Sequence, residues 1–166
     1  MTLGMSTATY TLLHVLTSLA GIGTGLIVLF GLLSSKRLDG WTSVFLVTTA
    51  LTSITGFGFK VEHLMPSHIL GILSLVVLAF TVPARYVFHL SGGWRSVYTI
   101  GAALALYFNV FVFVVQSFEK VGALKVLAPT QKEPPFLVAQ LLVLVVFAAL
   151  TVFATVRFHP DRVRAA

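Results

Sequence analysis

TLLHVLTSLAGIGTGLIVLFGLL, residues 11–33, holds one ionisable side chain, His14. At about 1.5 Å of rise per helical residue, about 20 residues cross the roughly 30 Å hydrocarbon layer of a bilayer, so this run is long enough to span it. Four further apolar runs follow at about 41–57, 67–90, 94–118 and 136–158. Backbone amides cannot stay unpaired in lipid, so each run is expected to be a helix. The sequence therefore predicts an all-α fold, a polytopic membrane protein with a bundle of five transmembrane helices in one domain over residues 1–166.

Composition agrees. Hydrophobic residues make up 57% of the chain and charged residues 10%, with mean hydropathy +0.99. A soluble domain carries about 25% charged residues. The net charge of +6 does not indicate nucleic acid, because the basic residues sit in short connections between apolar runs, which is a topology signal. Cysteine is absent, which excludes disulfides, thiolate metal sites and cysteine nucleophiles. The opening MTLGMSTATY has no basic residue, so it lacks the charged segment of a cleaved signal peptide. The first run is expected to stay as a helix.

The charges set the orientation. With five spans, Lys36, Arg37, Arg85, Arg95, Arg157, Arg162 and Arg164 fall on one side, and Lys60, Lys120, Lys125 and Lys132 on the other. All the arginines share a side, so the positive-inside rule puts the N-terminus outside and the C-terminus in the cytoplasm. If the short second run did not cross, Lys36 and Arg37 would lie opposite Arg85 and Arg95 and the bias would largely vanish. Trp41 and Trp94 fall at predicted cytoplasmic interfaces, where indole rings prefer to sit. Pro83 is expected to bend or end the third helix. The 117–135 connection, with Pro129, Pro134 and Pro135, is long for so small a bundle. It reads as an ordered cap, an interfacial segment or a partner-binding loop.

The threading gathers polar groups in the outer half. His14, Ser18, Gly21 and Gly25 share one face of the first helix by spacings of four, three and four. The Gly21/Gly25 pair reads first as close helix packing and second as room for a flat cofactor beside His14. Thr48, Thr52 and Thr55 form a hydroxyl stripe on the second helix, either bonded back to their own backbone or lining a polar interior. His68 opens the third helix. Asn109 and Gln116 share a face of the fourth and are expected to point into the bundle. Gln140 opens the fifth. A metal-site reading of Glu62, His63 and His68 has no recognised ligand spacing behind it.

These residues define the site expectation: His14, His68, Asn109, Gln116 and Gln140 bind a cofactor or lipid-like ligand near the extracytoplasmic face. Two histidines on separate helices are the axial set of a haem b, and histidine with carboxamides suits a quinone. The expected function is non-catalytic ligand binding within a redox or other membrane complex. Alternatives are a structural or assembly subunit without ligand, or a small-solute transporter or channel. Partners are the lipid bilayer and other membrane subunits, met through the 117–135 loop or the Gly21/Gly25 face. No motif of a metalloprotease, serine hydrolase or intramembrane aspartyl enzyme occurs.

The stretches HVLTSLAGIGTGLIVLFGLLSSKRLDGW (residues 14–41), TSITGFGF (52–59), MPSHILGI (65–72) and LAPTQKEPPF (127–136) resemble an uncharacterised family of short multi-span bacterial inner-membrane proteins. The resemblance spans most of the chain. It implies a bacterial inner-membrane location and a shared architecture of the outer-face segments, and no activity.

Overall fold

The computed structural model describes residues 4–59 and 66–159. The elements are α1 (Thr7–Leu33), α2 (Asp39–Gly56), α3 (Pro66–Tyr86), α4 (Trp94–Lys120), α5 (Gly122–Leu127) and α6 (Pro134–Arg157), and the described residues contain no strand. Glu62, His63, Arg162 and Arg164, used in the charge and metal readings, lie outside the described residues.

Local chemistry explains the helix ends. Ser6 caps α1, its hydroxyl accepting from the Thr9 N–H at 3.1 Å, so the helix starts four residues before the apolar run. At the far end, the Ser35 N–H donates to Leu32 C=O and the Lys36 N–H to Gly31 C=O, with Ser35 at φ +55°. These bonds satisfy carbonyls that the last helical turn leaves open. The third helix continues one turn past Pro83 and stops at Tyr86, short of the expected residue 90. There His89 and Leu90 take φ +48° and +62°, and the Leu90 N–H closes back onto Ala84 C=O at 3.0 Å. The 117–135 connection is an ordered cap. It contains the unexpected α5 and a small core of Phe118, Ala128 and Phe136.

Successive long helices run antiparallel. His14 meets Thr55 and Gly25 approaches Phe45 along α1 and α2. Phe57 meets His68, and Ser43 meets Tyr86, along α2 and α3. Thr81 packs on Gly101 between α3 and α4. The pairs Phe118–Phe136, Tyr107–Phe147 and Tyr98–Phe158 mark α4 against α6. The bundle thus has an arginine end, with residues 34–38, 87–93 and 158–159, and a lysine end, with α5 and the start of α6.

The central helix is α4, which touches all five others. Small residues let its neighbours come close: Gly101, Ala102, Ala103 and Ala105 are buried, and Tyr98 and Leu106 fill the space between them. By contrast, α6 packs on α4 and α1 and leaves Leu137, Leu141, Leu142, Val145, Val152 and Val156 exposed. An apolar face this continuous suits lipid rather than water. The helices α1, α3, α4 and α6 are long and apolar enough to cross a membrane. The less apolar α2, an expected fifth span, is not among those four.

Gly21 and Gly25 face inward. A Cβ on Gly25 would sit 2.6 Å from Leu106 Cδ1 and 2.7 Å from Phe45 Cε2, whereas a Cβ on Gly23 would meet nothing. The close packing read from the glycine pair is therefore used between α1, α2 and α4, not on an outer face. Gly25→Val is expected to cost about 1–3 kcal/mol by forcing these helices apart. Gly23→Ala is expected to leave stability unchanged or raise it. Thermal unfolding in mild detergent checks both, and equal melting temperatures for the two variants would exclude this packing.

Candidate functional site

The lysine-end polar layer is built mostly between α1, α2 and α4. His14 Nδ1 lies 2.8 Å from Thr55 Oγ1, and that hydroxyl also donates to Leu51 C=O at 2.6 Å. Thr55 Oγ1 thereby links the His14 ring on α1 to the backbone of α2. Tyr10 OH donates to Thr55 C=O at 2.7 Å. Phe59 sets its ring edge-on to both Tyr10 and His14 at 5.1 Å. Seven residues into the bundle from His14, Gly21 gives room for Thr48, Thr49 and Asn109. There Asn109 Nδ2 donates to Thr49 Oγ1 at 3.0 Å, fully inside the protein.

The two readings of the α2 hydroxyls both hold. Thr48 bonds back to Val44 C=O and Ser53 to Thr49 C=O. Thr49 and Thr55 also serve as partners for other helices. Thr52 Oγ1 is buried with no partner among the described residues.

The other expected residues scatter around this layer. His68 is buried on the α3 side of α2, its ring 5.6 Å from that of Phe57. His14 is on the α1 side, and α1 and α3 share no substantial interface. The two imidazoles, expected as one ligand pair, thus stand on different faces of the α2 C-terminal end. Gln140 packs against α4, its Nε2 donating to Phe111 C=O at 3.2 Å, while its Oε1 is buried without a donor. Gln116 differs from expectation. It is half-buried and its amide reaches Glu119, one turn along its own helix, at 3.3 Å. The heptad spacing from Asn109 is real, but at this level α4 packs through Val114, Val115 and Phe118 against the cap, and Gln116 stays half-buried beside them. Among the described residues, no three or more His, Cys, Asp or Glu side chains gather as metal ligands.

Two lateral grooves lie elsewhere, toward the arginine end. One, about 350 Å³, is lined by Val77, Phe80, Thr81, Val97, Ile100 and Leu104 among others. The second, about 370 Å³, lies between α2 and α3 under Ser43 and Tyr86. Neither is lined by an expected site residue, and both are almost wholly apolar.

The arginine end also holds a cluster that the sequence reading missed. Arg85 was expected as a loop charge, yet its side chain is only 2% exposed. Its Nη2 donates to Asp39 Oδ1, and its guanidinium lies 5.0 Å from the Tyr98 ring centroid. Tyr98 OH in turn lies 3.3 Å from Thr42 Oγ1. Nearby, Arg95 donates to Phe158 C=O and the His159 N–H to Ser35 Oγ. A signal was present: Ser74, Leu78, Thr81 and Arg85 follow spacings of four, three and four, and all four are buried.

Comparison with known protein families, curated proteins and solved structures finds no match.

The Asn109–Thr49 bond is the cleanest measure of what this layer contributes. A double-mutant cycle with Asn109→Leu and Thr49→Val is expected to give a coupling of about 0.6–2 kcal/mol. Unfolding of the reconstituted protein measures it, and strictly additive effects would remove the bond from the account.

Proposed function

We propose that the chain is a non-catalytic subunit of a bacterial inner-membrane assembly, crossing the bilayer five times with its N-terminus outside. Its polar residues serve to lock helices together. The observation that carries this reading is the commitment of the polar groups to neighbouring helices: His14 to Thr55, Asn109 to Thr49 and Gln140 to Phe111 C=O. A protein whose work is to hold a shape among other membrane components needs this internal pairing and no reaction chemistry. The wide apolar face of α6 supplies surface for neighbours.

The fifth span is α2. It lies between α1 and α3 over its whole length, about 27 Å for 18 residues. Its hydroxyls Thr42, Thr49 and Ser53 point inward, while Val44, Val47, Leu51 and Ile54 face outward. Its mean hydropathy is therefore low for a reason that does not oppose lipid contact. The absence of cysteine permits a direct test. Single cysteines at Lys36 and Gly93 are expected to react on one side of the membrane, and one at Pro129 on the other. Reaction of Lys36→Cys and Gly93→Cys on opposite sides would overturn the five-span threading.

A second reading is a ligand of quinone or quinol type at the lysine end. One acceptor favours it: the Oε1 of Gln140, buried with no donor among the described residues. A buried carbonyl oxygen without a donor costs about 1–3 kcal/mol, and a ligand hydroxyl would supply one. The haem version requires both histidines across one macrocycle, and their separation by α2 gives it no support. Gentle detergent extraction of native membranes distinguishes the readings. A complex of fixed stoichiometry, free of quinone, is expected. Migration as an isolated chain would sink the subunit reading, and a stoichiometric quinone lost in Gln140→Leu would establish the second.

A further inference from the structure

We propose that α5 and its flanks form a docking surface for anionic phospholipid headgroups, a property beyond the subunit reading above. α5 packs mainly on α4, with the start of α6 completing its small core. Phe118, Ala128 and Phe136, with Leu124 against them, fix it there. Its remaining apolar side chains point away from the protein. Val126 is 81% exposed, the highest value among the exposed large apolar side chains of the described residues, and Val121 and Leu127 are exposed beside it. This cluster follows the C-terminal end of α4 and precedes α6, and the inference rests on the threading proposed above, which sets it at the level of headgroups rather than of hydrocarbon.

Charge selects the occupant. Lys120, Lys125 and Lys132 are exposed around the apolar tip, and none forms an ion pair with a described residue. The two nearby carboxylates are engaged within the cap. Glu119 accepts from Gln116. Glu133 accepts from the Thr130 N–H and hydroxyl and from the Lys132 N–H. Desolvation pushes the Glu133 carboxyl up, but these hydrogen bonds together outweigh it and hold the pKa below the usual value. Glu133 therefore stays ionised as the brace of the turn, where Gln131 takes φ +58° and donates to Val115 C=O at 3.1 Å. The braced turn presents unpaired ammonium groups around exposed valine and leucine side chains. Apolar side chains entering the headgroup boundary, with lysines reaching phosphate above them, is the interfacial mode of binding. A protein partner would be met instead by a larger and flatter apolar patch.

The test uses the full chain in vesicles. A nitroxide is attached at Val126→Cys, which is then the only cysteine. In vesicles containing phosphatidylglycerol it is expected to be reached by dissolved oxygen and shielded from a polar nickel chelate. In the Lys120→Gln/Lys125→Gln/Lys132→Gln variant, the phosphatidylglycerol retained through purification is expected to fall by at least about fivefold, since each lysine near an anionic surface is worth roughly fivefold. A label as open to the nickel chelate as one in water overturns the proposal. So does retention unaffected by the triple variant, or a label immersed only when native membrane proteins are added.

Discussion

Asn109 reaches Thr49 at 3.0 Å in the middle of the bundle, and much of the architecture follows from what that bond requires. In an apolar medium a carboxamide must find its partner on another helix. A bond of this length requires the α2 and α4 backbones to come close and α1 to leave room beside them. Gly21 supplies the room at that level, and one turn further Gly25 lets Phe45 and Leu106 meet over α1. The small-residue surface of α4 extends the same close approach to α3 and α6. Polar pairing and tight packing are thus one constraint, because the bond forms only where side chains are small enough to permit it.

On the five-span threading proposed above, the same constraint accounts for the low mean hydropathy of α2. Composition averages over both faces of a helix, and α2 carries its hydroxyls on the buried one. Thr42 and Thr49 are sealed from outside while Val47 and Ile54 are exposed. Such a helix is polar within and apolar without, the reverse of a surface helix in a soluble protein. Mean hydropathy ranks it below α6, whose valine- and leucine-rich faces are apolar all round. Burial, not average composition, separates a poorly apolar helix from one that has turned its polar side inward.

The all-helical bundle was legible in the sequence because the run lengths and the interrupting glycines are properties of the chain itself. The ends of the elements were less so. Ser6 extended α1 by a capping bond, and α3 stopped early through a turn made by His89 and Leu90, neither a glycine. Of the expected site residues, His14, Asn109 and Gln140 face neighbouring helices; spacing put Asn109 on an inward face, but nothing in the sequence placed Gln140 beyond its position at the start of the last helix. Gln116 does not, because heptad spacing fixes a face but not how far the neighbouring helices extend along it. The separation of His14 from His68 was also beyond the sequence, since equal depth says nothing about which helix stands between two residues.

Arg85 illustrates a further limit. Counting it as a loop charge gave the orientation signal, and its place in the last turn of α3 made that reading natural. Yet its guanidinium is enclosed while its partner Asp39 has a side chain 70% exposed. The asymmetry matters energetically. A fully buried ion pair must desolvate both charges, and the attraction often fails to offset the cost. Here the carboxylate keeps most of its water, so the desolvation falls mainly on Arg85. Guanidinium is the more weakly hydrated of the basic groups, and the Tyr98 face 5.0 Å away returns roughly 0.5–2 kcal/mol to a cation removed from water. The pair joins the start of α2 to the end of α3 with its charged rim still in contact with the aqueous side. A buried arginine in the last turn of α3 therefore pins two helices, which a loop arginine cannot do.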